Sequence, residues 1–197
     1  MATKTAVRDE LLEIRWHGRG GQGVVTAGKL LAHAALDAGL YFQAFPDYGP
    51  ERMGAPIRAF TRLSGNPIHV HSQITEPNVV VILDPTVLGP VDVTEGLDED
   101  GVLVVNTEAS PAEIREKLDW RTGKVFTVDA SGIALKHMNR EVTNTPMLGA
   151  LSAAIEVVGL EELEEQIRHQ FERKFGEETV KANIAAMREA AEKLKEG

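Results

Sequence analysis

Leu12-Glu13-Ile14-Arg15-Trp16 alternates apolar and polar side chains, the period of a strand with one covered face. From Val24 the period lengthens. Val24, Ala27, Gly28, Leu31, Ala34, Ala35 and Ala38 recur at three and four, while Thr26, Lys29, His33 and Asp37 fall opposite, so a helix runs to Gly39. A second strand is expected at Tyr41 to Phe45. Ile57 to Leu63 and Ile68 to Ser72 alternate around Ser64-Gly65-Asn66-Pro67, which predicts an antiparallel hairpin over 57–72. On that pattern Arg58, Phe60 and Arg62 share one strand face, and His69 and His71 another, either as two metal ligands or as a polar face.

Val79 to Leu83 and Val102 to Val105 are unbroken apolar runs, as expected of parallel strands covered on both faces, and Val125 to Val128 adds a third. Each is followed by a polar residue, Asp84, Asn106 and Asp129, which either lines a crevice at the carboxyl ends of the strands or caps the next turn. Ser110-Pro111-Ala112-Glu113 carries the start signals of a helix. Helical segments follow at 130–139 and 146–158. An acidic helix after Gly159 then aligns Leu160, Leu163, Ile167 and Phe171, and a last one aligns Val180, Ile184, Met187, Ala191 and Leu194. The expected fold class is α/β: a three-layer α/β/α arrangement with a largely parallel sheet, an inserted antiparallel hairpin and C-terminal helices. One domain over 11–197 is expected, after a frayed, polar stretch at 1–10.

Between the first strand and the first helix lies Gly18-Arg19-Gly20-Gly21-Gln22-Gly23, in which Gly18, Gly20 and Gly23 fit G-x-G-x-x-G in its strand–turn–helix context. Glycines permit tight turns and close backbone approach, and the first N–H groups of a helix have no intrahelical partner, so such a turn favours an anion. Arg19 adds a planar cation suited to phosphate or carboxylate. The alternative is a turn that serves only to pack helix on strand. The stretch Pro46 to Pro56 forbids regular structure yet holds Asp47, Tyr48, Glu51 and Arg52, a density of chemical side chains typical of functional loops.

The 197 residues contain no cysteine, which excludes disulfides and thiolate-ligated iron–sulfur clusters within this chain. The formal net charge of -9 argues against nucleic-acid binding, no apolar run reaches membrane-span length, and a cytoplasmic location is expected. The charge is uneven. Residues 1–72 hold 8 Lys and Arg against 6 Asp and Glu (+2), and the remainder 13 against 24 (−11), so the glycine turn lies in the half that tolerates an anion. Asp47 is the one acid near the place where a nicotinamide-binding fold holds its ribose, but it follows a proline inside the irregular loop. No Gly-Lys-Ser or Gly-Lys-Thr follows the glycines, which excludes a kinase-type phosphate loop.

Trp16-His17-Gly18-Arg19-Gly20-Gly21-Gln22-Gly23-Val24, the Pro46 to Pro56 loop with its Tyr-Gly-x-Glu-Arg, and Asn144-Thr145-Pro146-Met147-Leu148-Gly149 together resemble one family. The resemblance, from about Ile14 to about Gly159, is to the gamma subunit of pyruvate:ferredoxin oxidoreductase, among the 2-oxoacid:ferredoxin oxidoreductases. Met53 departs from the pattern, since many relatives carry a basic or small residue there. The resemblance implies a complex that oxidises a 2-oxoacid, pyruvate in the first instance, with coenzyme A to acyl-coenzyme A and carbon dioxide and passes electrons to ferredoxin. It places thiamine diphosphate with magnesium between alpha and beta subunits and iron–sulfur clusters in beta and delta subunits. This chain, with no Gly-Asp-Gly thiamine motif, is then a subunit inactive alone that binds none of these groups. Coenzyme A, the phosphate-bearing co-substrate left unassigned, becomes the expected occupant of a site made by the 20–24 N–H groups and Arg19, near Arg52. The alternative for Arg19 is an acid on a neighbouring subunit. The alternative for the whole chain is a stand-alone nucleotide-binding Rossmann-like module or enzyme.

Overall fold

A computed structural model describes residues 10–47 and 54–197. The expectation of a frayed start therefore falls, except for Glu10, outside the described residues, as do Tyr48, Glu51, Arg52 and Met53. The elements in chain order are β1 (Leu12–Arg19), α1 (Val24–Asp37), β2 (Tyr41–Pro46), β3 (Pro56–Ser64), β4 (Val79–Ile82), a 3₁₀ turn (Pro85–Val87) and β5 (Val102–Asn106). Then come α2 (Pro111–Leu118), β6 (Lys124–Val128), α3 (Ala130–Met138), α4 (Asn144–Ile155), α5 (Leu160–Phe175), α6 (Glu177–Glu192) and β7 (Lys195–Glu196).

All seven strands form one sheet in the order β2-β3-β1-β4-β5-β6-β7. Its centre, β1-β4-β5-β6, is parallel, and the flanking pairs β2-β3, β3-β1 and β6-β7 are antiparallel. The unbroken apolar runs are thereby explained. Along β4, Val79 and Val81 face one core, with Leu12, Ile14, Trp16, α1, α4, α5 and α6, while Val80 and Ile82 face a second, with Leu103, Val105 and Ile114 of α2. The α/β expectation and its layered arrangement hold. The second layer is thin: α2 and the segment around Val87, Leu88 and Val93 cover it.

The antiparallel hairpin is present and 57–63 is one of its arms, as expected, but the other arm is 41–46 and not 68–72. Its arms are β2 and β3, with Tyr41 opposite Ser64 and Phe45 opposite Phe60. Residues 68–72 form no strand, and His69 and His71 are exposed in irregular chain rather than on a common strand face. The reason is topological: β3 lies between β2 and β1, so both its hydrogen-bonding edges are used before a returning strand arrives. The C-terminus differs as well. Helix α6 stops at Glu192, and Lys195–Glu196 pair with Phe126 and Thr127 as a short strand, so Leu194 is not helical. Ala190, not Ala191, completes the buried stripe.

Packing of α1 on the sheet runs through Gly28. A side chain there would meet Thr61 Oγ1 at 3.0 Å, and that hydroxyl accepts the indole N–H of Trp16 at 3.0 Å. The helix is thereby seated over β3, against the Trp16 indole of β1.

Candidate functional site

The glycine turn leaves the carboxyl end of β1 and enters α1, beside the carboxyl end of β4 in the parallel part of the sheet. Two of its glycines have distinct physical causes. Gly23 is the N-cap of α1 with φ 78, the left-handed region, and a Cβ there would lie 2.7 Å from Nδ2 of Asn144 at the start of α4. Gly18 is required by space, since a Cβ would sit 2.6 Å from Val24 Cγ2 and 3.1 Å from Gln22 Oε1. With a glycine at the cap, no side chain caps the helix. Its first-turn N–H groups have no intrahelical acceptor, and the positive end of the helix dipole stands behind them.

A closed set of side-chain bonds holds the turn. Gln22 Oε1 accepts the backbone N–H of Arg19 (2.7 Å), and Gln22 Nε2 donates to Asp84 Oδ2 (2.6 Å). The other oxygen of Asp84 accepts the N–H of Thr86 (2.8 Å). Arg19 donates from Nε to Thr86 Oγ1 (2.7 Å), from Nη1 to the Gly54 carbonyl (2.9 Å) and from Nη2 to the Thr86 carbonyl (3.3 Å). Its Nε stands 3.6 Å from Asp84 Oδ2. Burial alone would raise the Asp84 pKa. The hydrogen bonds from Thr86 and Gln22 and the charge of Arg19 outweigh it and hold the carboxyl below the usual range. Of the five N–H groups of a guanidinium, three on Arg19 are engaged by the described residues, on a side chain 30% exposed.

Asp84 thus joins the glycine turn, one of the two alternatives the sequence left, and it also caps the 3₁₀ turn. Asn106 and Asp129 are structural ties. Asn106 Nδ2 donates to the Leu83 carbonyl and to Ser131 Oγ, and Asp129 caps α3 through the N–H of Gly132. Asp47 is held away from the turn by Arg58, whose Nε and Nη2 are both 2.8 Å from Oδ2.

Gly21, Gln22 and Gly23 also form one wall of a cleft of about 720 Å³ between α1 and the α5–α6 pair. Lys29, Arg140 and Lys174 bring cations to it, and Met138, Phe171 and Phe175 an apolar surface, a combination suited to an anionic ligand with an apolar body. Arg19 is not part of that wall. Sequence reading missed this cleft because α5 and α6 reach the turn only through tertiary packing. Phe175, one turn beyond Phe171 on the apolar stripe of α5 and 58% exposed, was the available signal.

Residues 13–193 match the model of the family described as pyruvate ferredoxin/flavodoxin oxidoreductase. The chain belongs to that family. It is 51% identical over 172 residues to the pyruvate/ketoisovalerate oxidoreductases common subunit gamma of Thermococcus kodakarensis, covering 87% of this chain and 93% of the relative. It is 48% identical over 189 residues to pyruvate synthase subunit PorC of Thermotoga maritima, covering 96% and 97%. The crystal structure of pyruvate oxidoreductase subunit PORC from Thermotoga maritima superimposes with a TM-score of 0.85 at 44% identity, over 96% of this chain and 99% of that one. A keto/oxoacid ferredoxin oxidoreductase gamma subunit from Geobacter sulfurreducens gives 0.73 at 26%, over 94% and 99%. Among the described residues no helix is long and apolar enough to cross a membrane.

Proposed function

We propose that this chain is the gamma subunit of a multisubunit 2-oxoacid:ferredoxin oxidoreductase, with pyruvate as the 2-oxoacid, and that its glycine turn receives coenzyme A. The family match across 13–193 and the full-length similarity to gamma subunits support the first part. A stand-alone nucleotide-binding module is not favoured. The observation that carries the second part is the uncapped start of α1, where Gly23 leaves backbone N–H groups to an anion.

In this reading the chain supplies no reacting group. Thiamine diphosphate, when bound with magnesium between alpha and beta subunits, supplies the decarboxylation chemistry. Iron–sulfur clusters, which this chain without cysteine has no thiolates to hold, would be held by the beta and delta subunits and would supply the electron path to ferredoxin. The work of this chain is positional. The N–H groups of Arg19, Gly20 and Gln22 are bonded within the protein, so the first N–H groups of α1 and the guanidinium of Arg19 hold the phosphate oxygens, an arrangement suited to charge-assisted bonds. Arg52, expected near this site, lies outside the described residues.

Reconstitution tests the assignment. The purified chain alone is expected to show no turnover of pyruvate with coenzyme A and an electron acceptor, and turnover is expected only when the thiamine-binding and cluster-bearing subunits are added. Turnover by the chain alone, or a complex fully active without it, would contradict the proposal.

A further inference from the structure

Asp84 presents a problem of charge. It is a carboxylate 11% exposed, next to a turn whose proposed ligand is an anion, and like charges there weaken binding. Both its oxygens are already engaged: Oδ1 by the N–H of Thr86, Oδ2 by Nε2 of Gln22 and the neighbouring Arg19. Gln22 in turn has one possible orientation, because Asp84 only accepts and the Arg19 N–H only donates. One amide therefore couples the backbone of the turn to the end of β4. The same carboxylate stands beside the guanidinium, which, among the described residues, bonds to Thr86 and Gly54.

We propose that Asp84 and Gln22 are a positioning pair for coenzyme A: through their mutual bond they hold the Arg19–Gly23 turn and the Arg19 guanidinium in the receiving conformation, and they act on binding through the turn. The inference rests on the reading of the turn as the coenzyme A site. It follows that only the match of donor to acceptor, with one negative charge between the two positions, has to be preserved, and not the identity of either residue. Gln22→Glu sets two carboxylates face to face, and Asp84→Asn turns an N–H₂ toward a donor. Combined, they restore the match: the new amide at 84 accepts from Thr86 and donates to the new carboxylate at 22, which still accepts from Arg19. Gln22→Met fills the same space with no hydrogen bond.

The experiment is steady-state kinetics of the assembled complex carrying each variant, with assembly checked by gel filtration and Arg19→Ala as reference. Gln22→Glu, Asp84→Asn and Gln22→Met are each expected to raise KM for coenzyme A about tenfold. Turnover at saturating coenzyme A should stay within about twofold, and the KM for the 2-oxoacid should not move. The exchanged pair should return to within about threefold of the parent. An exchanged pair as impaired as the singles would overturn the proposal, because a carboxylate at 22 that touches or repels the ligand gives that result. Unchanged singles beside an impaired Arg19→Ala would overturn it while leaving the coenzyme A site standing. Unchanged KM in every variant, Arg19→Ala included, would remove the site and the pair together. If a single variant fails to assemble, the exchanged pair decides alone: assembly with near-parental KM supports the pair, and renewed failure overturns it.

Discussion

Arg15 donates its Nε–H to Nε2 of His17 at 3.0 Å, with both side chains only 2% exposed on one face of β1. The guanidinium is fixed from its far side by the carbonyls of Val93 and Glu95. An imidazole that accepts this bond is neutral. Burial, then Arg15 and Arg58, push its pKa down to about 3, against an ordinary value of 6.5. Between those values the unfolded chain takes up a proton that the folded chain excludes, so acid destabilises the fold as pH falls from 6.5 toward 3. The slope approaches about 1.4 kcal/mol per pH unit for one such group. Urea midpoints at pH 7 and pH 5 should therefore differ, and His17→Gln should reduce the difference. Equal pH dependence in both proteins would show that His17 is not the titrating group.

Arg62 is 1% exposed and pairs with Glu13 at 2.6 Å across β1 and β3, with Phe45 stacked 5.5 Å from its guanidinium carbon. Removing one charge from such a pair strands the other. Glu13→Leu alone should cost about 3 kcal/mol or more, while Glu13→Leu with Arg62→Met should recover most of it. Chemical denaturation of the two variants checks this, and a double variant as unstable as the single would show the pair to be stabilising in its own right.

Gly149 lies where α4 meets α6, and a Cβ there would fall 2.0 Å from the backbone carbonyl oxygen of Met187. Backbone cannot rotate out of the way. Gly149→Ala should lower stability by about 1–3 kcal/mol, visible as a drop of several degrees in Tm. An unchanged Tm would mean that the helices separate at little cost.

Strand and helix periods carried most of the fold. Val79–Ile82 and Val102–Asn106 lie at the centre of the sheet because each carries apolar side chains to both faces, and that is visible in the sequence as an unbroken run. The hairpin was harder, because 57–63 is flanked by two candidate partners, 41–45 and 68–72, and the choice depends on β1 taking its other edge, a fact about the sheet and not about any one segment. At the site, the glycines, Arg19 and Gln22 stood out by local pattern, and Asp84 by its place after an apolar run. The bond joining Gln22 to Asp84 spans 62 positions, so no local pattern announces it. The two buried arginines of β1 and β3 were equally hidden, since Arg15 is enclosed by the chain around Val93 and Glu95 and Arg62 by Glu13, Gln43 and Phe45, neighbours that local pattern does not supply.

Whether the glycine turn holds coenzyme A in the assembled enzyme is decided by the KM for coenzyme A of a complex carrying Arg19→Ala. Loss of a charge-assisted contact, worth about 1.5–3 kcal/mol, should raise that KM about ten- to a hundredfold, with the KM for the 2-oxoacid unchanged and the complex intact on gel filtration. An unchanged KM for coenzyme A, or a complex that falls apart, would reassign Arg19 and its turn to contact with a neighbouring subunit.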